Sequence, residues 1–154
     1  ISQLGVDVQY IYEDWLWKLE AINRRSDTIE DVNAAIGGFE YSQIGVFDSA
    51  IDLGWVVEYA YDDRDASETA RQNDISLATR WALNDAESTE FLIGMSQDLD
   101  HSGSRSAFVE GTTRIGESFV VTVDAWFLTA DTVNELSYGI KQDDFVQIDV
   151  SYFF

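Results

Sequence analysis

The feature that most constrains this chain is a period-two alternation of apolar and polar residues that recurs, broken only by turns, along its whole length. It is cleanest in 144–154 (DFVQIDVSYFF). There Val146, Ile148, Val150, Tyr152 and Phe154 fall on one side, and Phe145, Gln147, Asp149, Ser151 and Phe153 on the other. Successive strand residues point to opposite faces, so this is a strand with an unbroken apolar face and a mostly polar one. An aromatic end on an apolar face suits a lipid–water boundary better than bulk water.

The same reading carries through the chain. Residues 4–12 and 15–23 form a pair around the tight turn Glu13-Asp14, with Leu4, Val6, Val8, Tyr10 and Tyr12 facing the same way as Trp15, Trp17, Leu19 and Ala21. A weaker strand over 32–41 contains Gly37-Gly38, a pair that marks a bend or a close backbone approach. Strands are then predicted over 50–61, 74–83, 89–99, 104–115, 119–127 and 144–154. Connections are short at Glu13, Asn84 and Gly116, intermediate at Ser42, and long or charged at Asn23, Asp62 and Thr129. The hairpin at His101 is short for its side.

Short turns on one rim, longer loops on the other and a closing strand ending Val150-Ser-Tyr152-Phe-Phe154 together resemble the β-barrels of Gram-negative outer membranes, porin-like proteins among them. The resemblance implies an all-β, antiparallel transmembrane barrel, about 8–10 strands of it in this chain, as a single domain over 1–154. Val150, Tyr152 and Phe154 would then be the signal read by the barrel-assembly machinery. Nine strands sit badly with the even numbers of bacterial barrels. Either this is the C-terminal portion of a larger barrel, or it is an eight-stranded barrel in which 32–41 is no strand. The fragment is the favoured expectation, because, counted back from a C-terminus on the short-turn rim, the first strand would begin on the long-loop rim, whereas a complete barrel begins on the other.

Composition narrows the function. A net charge of −20 with 9 Lys+Arg excludes a nucleic-acid partner, whose phosphates need a basic surface. There is no Cys, hence neither a disulfide framework nor a thiolate metal site, and Pro is absent, which suits long ladders. No apolar run is long enough for a membrane helix, but a barrel hides its membrane character in alternation.

Two residue sets follow. Tyr10, Tyr12, Trp15, Trp17, Trp55, Tyr59, Tyr61, Trp81, Phe119, Phe127, Tyr152 and Phe154 would form membrane girdles. Lys18, Glu20, Asp52, Glu58, Arg80, Glu110, Arg114, Asp124 and Asp149 would line a wet lumen, because such a charge density is costly in a dry core. The expected ion pairs on that wall are Arg80 with Glu58, and Arg114 with Glu110 and Asp124.

The function expected is a passive transport channel of the outer membrane with an acidic, ion-paired lumen, not an enzyme and needing no cofactor. Its partners would be lipid, lipopolysaccharide and divalent cations at acidic loops, although 62–73 lacks the ligand pattern of a calcium hand. The alternative is a closed structural or adhesion barrel. A rim hydrolase using His101, the only histidine, ranks third, since adjacent Asp100 and His101 make an awkward dyad and no metal-ligand spacing is present. A soluble sandwich remains the rival fold. It would bury Val6, Trp17, Trp55, Val123 and Ile148 together and leave Glu58, Arg80 and Asp124 in water.

Overall fold

The computed structural model describes residues 1–154. Nine strands follow one another as β1 (Ser2–Tyr12), β2 (Trp15–Arg25), β3 (Val32–Gln43), β4 (Asp52–Asp62), β5 (Asn73–Ala82), β6 (Glu90–Asp98), β7 (Arg105–Ile115), β8 (Phe119–Thr129) and β9 (Phe145–Tyr152). Each pairs antiparallel with its chain neighbour, giving one sheet in sequence order. Tight reversals need positive φ, supplied by Glu13 (52°) between β1 and β2 and by Gly116 (62°) between β7 and β8. The remaining connections carry two short 3-10 turns, at Val46–Asp48 and Leu136–Ile140.

The weak stretch is a full strand. β3 runs the length of both neighbours, so an eight-stranded account of this chain is incorrect. Its glycines are the reason it looked weak and also the reason it pairs. A Cβ on Gly38 would run into the backbone of Val57 on β4, an approach only glycine permits. Gly38→Ala is therefore expected to force β3 and β4 apart at an overpacking cost of about 1–3 kcal/mol, read as a lowered unfolding midpoint in urea.

The register sorts side chains into two faces. One continuous row joins Tyr12, Trp15, Tyr41, Trp55, Thr79, Ile93, Val109, Ala125 and Val146. It begins beside the first short turn and ends at the opposite, long-loop end of β9. The strands are thus staggered along the hydrogen-bonding direction, the geometry of a tilted sheet. Aromatics gather at the ends of this face. Tyr12, Trp15, Tyr41, Trp81, Phe91, Phe119 and Tyr152 lie at the short-turn end, with Trp15–Tyr41 ring centroids 4.5 Å apart and Phe119–Tyr152 5.0 Å apart. Tyr59, Tyr61 and Phe127 lie toward the other end. Between them lie mostly aliphatic residues such as Val57, Leu77, Ile93 and Val109, with Trp17, Phe39 and Trp55 on β2 to β4.

No second layer covers either face. Only 9 of 154 residues are buried and no large side chain is fully enclosed, while Val6, Trp17, Trp55 and Ile148 are 44–64% exposed. The extensive contacts of every strand are with its sheet neighbours, and β8 also meets the turn Leu136–Ile140. A sandwich core built on those residues is excluded by this arrangement. The sheet is open: β1 and β9 do not pair, both run in the same direction, and each leaves one edge of backbone N–H and C=O groups without a strand partner. No helix is long and apolar enough to cross a membrane, which says nothing of strands.

Candidate functional site

The face opposite the apolar rows carries the charge. Lys18, Glu20, Asp52, Glu58, Arg80, Glu110, Arg114, Asp124 and Asp149 all share it, because each sits one step out of phase with the apolar row of its strand. The expected ion pairs, however, are wrong in detail. Arg80 bonds Glu90 on β6 (3.0 Å), and Glu58 faces Arg71 from the β4–β5 loop (3.6 Å). Arg114 makes no ion pair, and Lys18 pairs with Glu40. The register explains this: Glu58 stands opposite Ser76 and Arg80 opposite Gly54, too far apart along the strands to meet.

The pairing also sets carboxylates against carboxylates. Asp7 lies opposite Glu20, Asp74 opposite Asp98, and Glu110 opposite Asp124. Like charges directly across an antiparallel pair are destabilising, and three such oppositions share this face, on β1/β2, β5/β6 and β7/β8. Glu110 and Asp124 line a cavity of about 280 Å³ with Arg80 and Glu90. A second cavity, of about 520 Å³, lies over β1 to β4 and is bordered by Asp7, Glu20, Asp62 and Arg71.

Long loops fold over this face at one end. The Leu136 N–H donates to the Ala66 carbonyl (2.8 Å), tying the β8–β9 loop to the β4–β5 loop although four strands separate them. Asp63 fixes the start of the latter loop by accepting the Asn33 backbone N–H (2.8 Å) and its side-chain amide (2.7 Å). Those bonds, the backbone one first, hold its carboxyl below the usual range. A depressed folded-state pKa stabilises above the ordinary carboxylate pKa and is lost as pH falls through the folded value. The amide proton resonance of Asn33 is therefore expected to move only below the ordinary Asp range, and Asp63→Asn should abolish that titration.

His101 is not a freely solvated loop histidine. Its Nδ1 lies 3.2 Å from Asp98 Oδ2, and that hydrogen bond raises its pKa. Its sequence neighbour Asp100 bonds elsewhere, to the Asn73 side chain (3.0 Å). Glu135, brought in by the β8–β9 loop, completes the group. Burial alone would raise its pKa, but bonds from Ser104 and Thr132 more than offset this and keep it low. Sequence reading missed Glu135, Ser104, Glu90 and Asp74. The first lies in a loop without period; the last is found by counting back from the Asn84 turn, which joins β5 to β6 and sets Asp74 against Asp98. The chain matches no protein-family model, and neither a curated protein nor a solved structure matches it.

Proposed function

We propose that this sheet is wall of a porin-like β-barrel of a Gram-negative outer membrane, and that its charged face lines a passive path selective for small cations. The apolar face, open across all nine strands with aromatics at its ends, supports a lipid-facing surface. The stagger of the rows supports closure into a barrel, which requires tilted strands. An antiparallel barrel cannot close on nine strands, since β1 and β9 run the same way. A further copy inserted in the same orientation would meet β9 in parallel, so closure takes an odd number of additional antiparallel strands. In lipid, leaving the two edges unpaired would cost several kcal/mol for each exposed backbone group. Val150, Tyr152 and Phe154 then serve as the assembly signal, and lipid and lipopolysaccharide surround the girdles.

The observation that carries the transport reading is the opposition of Glu110 to Asp124 and of Asp7 to Glu20, carboxylates that no cation of the wall ion-pairs. The test is the reversal potential of the intact protein in a planar bilayer under a salt gradient. A cation-selective current supports the reading; an anion-selective one rejects it. A second reading, a closed structural or adhesion barrel, draws on the Leu136–Ala66 tie and on the Lys18–Glu40 and Arg80–Glu90 pairs, which link neighbouring strands of the wall. Reproducible insertion without current favours it. A rim hydrolase using His101 is the third reading: Asp98 on Nδ1 is the contact that orients a general-base imidazole, and Glu135 adjoins the pair; hydrolysis that survives His101→Ala would reject it outright.

A further inference from the structure

We propose that the β6–β7 hairpin and the β8–β9 loop hold one divalent cation of the zinc type, with Asp98, His101 and Glu135 as ligands and Asp74 opposite Asp98 on the neighbouring strand. Each of the three ligands offers one atom, and these atoms lie within 4.8 Å of one another. The 3.2 Å between His101 Nδ1 and Asp98 Oδ2 is the separation of adjacent ligands around an ion with bonds of about 2.1 Å.

The surrounding bonds orient the ligands. Asp98 Oδ1 accepts the N–H groups of Asp100 (2.7 Å) and His101 (2.9 Å), which turns Oδ2 toward the imidazole. Glu135 Oε1 accepts the N–H (2.8 Å) and hydroxyl (3.0 Å) of Thr132, and Ser104 donates to Oε2. Such outer bonds fix carboxylate orientation in metal sites.

Asp74 supplies the independent sign of a missing cation. It stands opposite Asp98 in the β5–β6 ladder, is only 6% exposed, and its Oδ2 is buried without any hydrogen-bond partner. It lines a cavity of about 170 Å³ together with Asp98 and Ser104. A carboxylate oxygen enclosed without a donor, in a group set against a second carboxylate, is costly unless a positive charge is near. Of the basic residues bordering that cavity, Arg71 faces Glu58 and Arg105 makes no ion pair. Both arginines lie on the cavity wall, whereas at the ligand cluster itself Asp98 and Glu135 stand against one imidazole. An imidazole among carboxylates suits zinc or manganese better than calcium, which takes six to eight oxygens. This inference rests on the rim alone and does not depend on the transport reading.

The test uses the full chain folded in detergent and titrated with zinc chloride. Because His101 is the only histidine, its ring resonances report directly on ligation. Zinc is expected to shift them in a saturable one-site titration, with cobalt giving a ligand-field spectrum at the same site. Removing a ligand by His101→Ala or Glu135→Gln should weaken binding by about 100-fold or more, Asp74→Asn by about tenfold, and Asp63→Asn not at all. Ring resonances unmoved by zinc, calcium bound in preference to zinc, or affinity unchanged in His101→Ala would each overturn the assignment. The ring measurement on the unaltered protein decides the matter if the variants do not fold.

Discussion

Leu77→Arg is expected to destabilise the protein in bilayers by about 2–4 kcal/mol, whereas Ser76→Arg, one residue away, should be close to neutral. Leu77 lies near the middle of β5, flanked by Val57 and Met95 on the apolar face and 45% exposed. If that face meets acyl chains, a guanidinium there loses its hydration at the depth where the loss is greatest. Ser76 points the other way, between Glu58 and Ser96, where an added Arg gains a carboxylate partner. Reversible unfolding in lipid vesicles measures both. In a water-exposed sheet the two variants would differ by a few tenths of a kcal/mol at most, because surface substitutions rarely do more.

The second large effect concerns charge on the wall. The double variant Glu110→Lys/Asp124→Lys is expected to reverse the sign of the reversal potential, turning cation preference into anion preference. These two carboxylates face each other on β7 and β8, and the nearest fixed cation of their cavity, Arg80, is engaged with Glu90. Rings of side-chain charge set the sign of ion preference in narrow pores, so replacing two acids by two bases moves the local charge by four units. Single Glu110→Gln should give an intermediate potential. Preference unchanged by the double variant would place the path elsewhere.

Much of the architecture was legible in the alternation itself. Period two in 119–127 and 144–154 assigns Phe119, Val121, Val123, Ile148 and Val150 to one face, and the pairing of β8 with β9 places them there. Short turns such as Glu13-Asp14 give the register of the adjoining strands almost directly, because two residues allow few hairpin geometries. The ion pairs were not legible for the opposite reason. Whether Arg80 meets Glu58 depends on how the long segment 63–72 sets β5 against β4, and loop length does not determine that register. The cluster around His101 was hidden for a third reason. Glu135 comes from a stretch with no periodic signal, and only the folding of loop 130–144 over the β6–β7 hairpin brings it to Asp98.

The most direct measurement of the central claim is spin-label accessibility along β4 and β5 in lipid vesicles. The chain has no cysteine, so single cysteines placed in turn from 53 to 61 and from 74 to 82 can each be labelled without background. The account predicts strict alternation. Labels at 55, 57, 59, 75, 77 and 79 should be relaxed by oxygen dissolved in the bilayer, and labels at 56, 58, 60, 76, 78 and 80 by a water-soluble nickel chelate. The reverse phase, or nickel accessibility at every position, would contradict it and remove the channel with it.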